Sequence, residues 1–274
     1  MSSTTAYRDL LGTTRAMFIV AAILVLGAGA SLFLLTEQTD RFFAWPIGPP
    51  MTAAFMGALY WSAAVLQVQA ARQPTWYLAR ASVPGIVTFT VLTLIATLIH
   101  REPFKLDEPI GIMWLTVYIA FPPLAILASI RQARNAVARH VAELPAPNWL
   151  RLLGTLIGLM LAGIGIGLYV APTDMSAIWP WTLSELTGRT FAAWLIGLGL
   201  TGMLAMRDGD IRIVRQVAVS TIVLGVVGAI ALFRYGDELN WGSVQSIGFV
   251  GVLGVLVIMA IVTILIKPQP AAGS

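Results

Sequence analysis

The chain of 274 residues contains no cysteine, which excludes disulfides, thiolate metal sites and a cysteine nucleophile together. Charge is scarce as well: Asp, Glu, Lys and Arg make up 11% of the residues, against about a quarter in soluble domains. Only His100 and His140 could supply an imidazole. The span pattern described below sets them on opposite faces of a membrane, so they cannot share one haem, and a catalytic zinc needs three protein ligands. The sequence therefore predicts no cofactor and no metal. Nor does any Asp, Glu, Lys, Arg or His fall in the middle of a long apolar run. Ionisable groups inside a bilayer are costly, and they mark proton relays, ion paths and voltage sensors. Their lack argues against a pump, an ion-coupled transporter or a voltage sensor. Carriage of neutral or apolar molecules stays open.

What the chain has instead is apolar length. Hydrophobic residues reach 58% and fall into eight blocks of about twenty, the length a helix needs to cross hydrocarbon. The blocks run Ala16–Leu35, Thr52–Ala70, Val83–Leu98, Ile110–Ile130, Leu152–Val170, Thr190–Met206, Ile213–Phe233 and Val244–Ile266. They are continuous rather than alternating, which predicts helices and not a barrel. The first block has the positive flank of a secretory signal in Arg8 and Arg15, but its apolar run continues through Leu35, so it is expected to be retained. On this pattern twelve of the seventeen Lys and Arg residues lie on one face, with Asp9, Glu143, Asp208 and Asp210. The other face carries five cations and the remaining nine acids. Positive charge stays in the cytoplasm during insertion, so both termini are expected there. The basic balance follows topology and does not point to nucleic acid.

Sliding the chain on itself until Thr52 falls on Thr187 also brings Arg72 onto Arg207 and Arg80 onto Arg215. With a slip of one position, Trp45-Pro46 falls on Trp179-Pro180. The pattern predicts an all-α membrane protein of eight transmembrane helices in two parallel four-helix repeats, residues 1–135 and 149–274, joined by a cytoplasmic linker at 136–148. In the loop Arg131–Asn148, apolar Ile130, Ala133, Val137, Val141 and Leu144 recur at helical spacing. That suits either an interfacial helix or a cytoplasmic extension of the fourth span ending before Pro145.

The outer Trp-Pro segments, Trp45-Pro46 and Trp179-Pro180-Trp181, are the most distinctive local feature. Tryptophan favours the headgroup zone and proline halts a helix, so interfacial anchors are the plain reading. The sharper one is an outer surface for a ligand or partner, built from Asp40, Trp45, Trp179, Trp181, Glu185 and Arg189, with His100, Arg101, Glu102 and Arg234 as secondary candidates. Glu102, Asp107 and Glu108 lack the regular spacing of a calcium loop and read as a solvated acidic turn. Pro122-Pro123 should kink the fourth span or split it. Gly158, Gly163, Gly165 and Gly167, and later Gly248, Gly251 and Gly254, suit close helix packing.

The run from Trp179 to Arg189, followed by Ala192-Ala193-Trp194, resembles a W-P-W-x-L-x-P-L-T-x-R motif of bacterial multi-pass integral membrane proteins whose function is uncharacterised. Glu185 stands where that motif has its second proline. Leu98-Ile99-His100-Arg101-Glu102-Pro103-Phe104, with Trp114, Tyr118 and Pro122-Pro123, is similar to theirs too. The resemblance implies a multi-pass protein of the bacterial inner membrane and no particular reaction. The expected role is non-catalytic: an accessory or scaffolding subunit, or a lipid-contacting protein, whose partners are membrane lipids and other membrane protein subunits. A transporter of a neutral or lipidic molecule between the halves is the first alternative. A membrane enzyme acting on a lipid-linked substrate at the outer face is the second.

Overall fold

The computed structural model describes residues 9–134 and 142–268. It consists of α1 (Gly12–Leu34), α2 (Thr39–Phe42), α3 (Pro50–Arg72), α4 (Trp76–Ala79), α5 (Ser82–Ile99), α6 (Pro109–Arg134), α7 (Asn148–Val170), α8 (Pro172–Ser176), α9 (Glu185–Asp208), α10 (Ile211–Tyr235) and α11 (Val244–Leu265). Among the described residues there is no strand, only two isolated bridges. Eight of the helices, α1, α3, α5, α6, α7, α9, α10 and α11, are long and apolar enough to cross a membrane. They follow the eight apolar blocks to within a few residues. This is a multi-pass helical membrane protein.

The starts of the helices follow local chemistry. Pro50 opens α3 at a position where the missing N–H costs nothing. The side chains of Ser184, Asp210 and Ser243 accept from backbone N–H groups of Thr187, Arg212 and Ser246, capping α9, α10 and α11. Gly209, at φ 68°, closes α9 in a left-handed conformation and lets Asp210 begin the next helix at once. At this end of the bundle Arg80 grips Asp208 with two hydrogen bonds of 3.0 and 2.7 Å. Arg212 pairs with both Asp210 and Glu143.

The fourth span is not split. α6 runs through Pro122 and Pro123 as one helix, although the prolines withdraw two backbone donors. It ends at Arg134, and the interfacial-helix question at Val137, His140 and Val141 lies outside the described residues.

The long helices interlace. α1 packs on α3 and α7 on α9, whereas α3 packs across on α10 and α5 across on α9. The last two pairs are crossings between the first and second halves of the chain. At the first, the Ser62 and Ser220 hydroxyls lie 2.8 Å apart, and each is also within hydrogen-bond distance of the other's backbone carbonyl. At the second, a methyl group on Gly85 would lie 2.5 Å from the carbonyl oxygen of Gly197. The offset that carries Thr52 onto Thr187 also carries Ser62 onto Gly197 and Gly85 onto Ser220. A third correspondence lies on the outer aromatic layer: Trp45 meets Trp114 with ring centroids 5.1 Å apart, and Trp179 meets Phe249 at 6.0 Å. Trp114 and Phe249 are related by the same offset.

The glycines divide. Gly158 and Gly165 approach backbone oxygens of α9, as close packing requires. At Gly163, Gly248, Gly251 and Gly254 an added methyl would meet nothing within 4 Å among the described residues, so these do not serve helix contact there. Gly85→Ala should therefore cost about 1–3 kcal/mol through overpacking, lowering the thermal midpoint in detergent. Gly251→Ala should leave it unchanged. Equal midpoints for the two variants would contradict the crossing.

Candidate functional site

The outer residues singled out above do not assemble into one exposed surface. Trp45 is 1% exposed and Trp181 4%, so neither is an interfacial anchor or part of an open binding face. Each sits in an aromatic group: Trp45 with Phe43, Phe104 and Trp114, and Trp181 with Phe55, Phe191, Phe249 and the half-buried Trp179. The physical reason is that the segments carrying them turn inward over the bundle end, where ring–ring packing replaces contact with headgroups. Asp40, Arg101 and Glu102 are exposed. Arg234 is exposed too, donating to the Phe33 carbonyl at 2.7 Å and the Tyr235 hydroxyl at 2.8 Å, with its guanidinium over the Phe33 ring.

One subset does come together. Glu185 opens α9 and pairs with Arg189 one turn on, at 3.3 Å, while also accepting from Thr173 at 3.1 Å. Arg189 in turn contacts Nε2 of His100, at the end of α5. Partial burial, and then the Arg189 charge, hold the imidazole below its ordinary value of 6.5, with Glu185 opposing. It is therefore neutral at pH 7.

The richer site lies inside. α3 is the most enclosed span, and Tyr60, Ala63 and Gln67 share one of its faces by their spacing of three and four. α9 contributes Trp194, Gly197 and Thr201 at the same spacing, α6 Trp114, Tyr118 and Phe121, and α5 and α1 complete the wall. These five helices enclose a cavity of about 370 Å³. That falls within the range of small-molecule sites, about 300–1,000 Å³. α1 and α6 touch only lightly, and Ile23 and Met113, which line the cavity, are 64% and 57% exposed. The cavity therefore opens sideways, toward lipid.

Among the described residues its wall holds no Asp, Glu, Lys, Arg or His. The hydroxyls of Ser31, Ser82 and Thr90 are satisfied by carbonyls of their own segments, and Trp114 Nε1 donates to Thr97. Other polar groups are not used up. The Tyr60 and Tyr118 hydroxyls share one hydrogen bond of 3.0 Å, which leaves one of the two phenolic protons over. Gln67 Oε1 and Trp194 Nε1 are buried without a partner among the described residues, an arrangement that costs about 1–3 kcal/mol for each group. Neither Tyr60 nor Gln67 was singled out by sequence reasoning. The signal for them is that α3 and α9 are the two least apolar spans, which is what enclosure by other helices permits.

A second cavity, about 110 Å³, lies among α7, α9, α10 and α11 with Ser62 of α3. The offset between the halves carries Ala63, Gln67, Ser82, Ile86, Phe89 and Phe121 of the first lining onto Leu198, Gly202, Val217, Thr221, Leu224 and Leu256 of the second.

The chain matches no protein-family model, no curated protein and no solved structure.

Because folding depresses the His100 pKa, the unfolded chain takes up the proton first as pH falls. The stabilising contribution of neutral His100 is present above pH 6.5 and is lost below it. Between about pH 7.5 and 5.5 the thermal midpoint should therefore fall further in the native protein than in His100→Gln. Equal falls would show that the Arg189 contact does not hold the imidazole neutral.

Proposed function

We propose that this chain is a non-catalytic, lipid-contacting protein of a bacterial inner membrane, which hosts a neutral, largely apolar molecule drawn from the bilayer. The observation that carries the reading is the uncharged cavity among α1, α3, α5, α6 and α9, open sideways between α1 and α6. A site without charge has nothing to offer an ion or a phosphate, whereas apolar walls with a few fixed polar groups suit a lipidic guest. Twelve of seventeen cations on one face support cytoplasmic termini. The matching crossings and matching cavities support a four-plus-four duplication with both halves in the same orientation.

A transporter of a neutral or lipidic molecule is the second reading. It is favoured by one feature: α9, from the second half, contributes part of the wall of the first-half cavity.

Purification in mild detergent followed by native mass spectrometry tests the proposal. A neutral lipid should remain bound at close to one per chain. Ala63→Phe, which narrows the cavity, should lower that occupancy. A lipid-free chain held in a fixed complex with another protein would contradict the proposal and favour an accessory subunit.

A further inference from the structure

The two cavities are equivalent in position but not in chemistry. Where the first has Tyr60, Gln67 and Tyr118, the offset positions in the second half are Leu195, Gly202 and Leu253, and the first-half counterpart of Trp194 is Leu59. Every polar group that distinguishes the first cavity is replaced by an apolar residue or by glycine. Packing alone would be served by apolar residues in both places, as Leu195, Gly202 and Leu253 show in the second half. Keeping unpartnered polar atoms in only one of them is costly unless something meets them.

Depth narrows what that could be. Tyr60 lies ten residues into α3, Tyr118 nine into α6 and Trp194 nine into α9. At 1.5 Å per residue all three sit about 14–15 Å below the helix starts, which is close to the middle of a hydrocarbon layer about 30 Å thick. The Trp194 ring packs edge-on against Tyr60 with centroids 4.9 Å apart, so the indole and the phenol pair belong to one cluster. Two donors there lack an acceptor among the described residues: the buried Trp194 N–H and the spare phenolic proton. Gln67 adds an acceptor about two turns deeper. No cation in the described lining stands by to neutralise a phosphate or carboxylate, and no anion to meet an amine. Along α6 the lining runs from Ile110 to Phe121, about 16 Å, which is one leaflet's depth and accommodates one chain.

We propose that the first cavity recognises a single-chain neutral lipid by one oxygen, a hydroxyl or carbonyl at the chain's end, held at mid-membrane by Trp194 and the Tyr60–Tyr118 pair. This rests on the lipid-hosting reading and adds the chemistry of the head. The chain leaves through the gap between α1 and α6.

The test uses the purified full chain in detergent and four probes with one isoprenoid tail, ending as alcohol, ketone, carboxylate or plain hydrocarbon. The alcohol or the ketone should bind about tenfold or more tightly than the hydrocarbon and the carboxylate, and the better of the two identifies the oxygen. Trp194→Phe keeps a ring but removes the N–H. It should weaken the favoured probe about two- to tenfold, the worth of one hydrogen bond, and leave the hydrocarbon unchanged. Tyr60→Phe with Tyr118→Phe should act in the same way. Equal binding of all four probes, or equal loss of alcohol and hydrocarbon in Trp194→Phe, would overturn the oxygen-recognition proposal while leaving lipid hosting intact. Failure of every probe, with no lipid retained on purification, would overturn both.

Discussion

Between helices in a bilayer there is little hydrophobic gain, because lipid tails are as apolar as leucine. Close approach and hydrogen bonding must then hold the bundle, and here two crossings use them to join its halves. Ser62 and Ser220 join α3 to α10 through mutual hydroxyl and carbonyl contacts, and Gly85 and Gly197 let α5 and α9 touch backbone to backbone. One crossing is built on two serines and the other on two glycines. Both put helices from the first and second halves of the chain in direct contact, so neither half packs as a separate body.

The cavities follow from that arrangement. With α3 and α9 fixed in the middle, α1 and α7 pack along their flanks and α6 and α11 lie outside α5 and α10. On each side the outer helices leave a space against the central pair. Aromatic and amide side chains line the first and larger of these spaces, while leucine, glycine and threonine line much of the smaller second. The two spaces thus differ by a few side chains.

The eight spans were legible in the sequence because continuous apolar length is a strong signal. The offset read in the sequence relates Ser62 to Gly197 and Gly85 to Ser220, and in the fold Ser62 meets Ser220 and Gly85 meets Gly197. The tryptophans were harder. Their preference for the headgroup zone suggested exposure for Trp45 and Trp181, but hydropathy does not tell whether a loop folds back over the bundle. The glycines of α11 have the spacing of a packing face, yet no described helix reaches them. The internal site was the least visible, because a lone Gln67 or Tyr60 in an apolar run carries no motif. Its meaning comes from neighbours on four other helices. The contact between Glu185 and Arg189 could be read from their helical spacing, whereas His100 joins them only in the fold.

The central claim, that α3 and α10 cross at Ser62 and Ser220, can be measured directly because the native chain has no cysteine to interfere. Ser62→Cys with Ser220→Cys, oxidised in membranes, should form an intramolecular disulfide, since the two hydroxyl oxygens are 2.8 Å apart. Ser62→Cys with Val226→Cys, on an exposed part of α10, should not. If both thiols of the first pair react freely with a maleimide and no disulfide forms, the crossing is wrong, and so is the packing of α3 on α10 that joins the two halves.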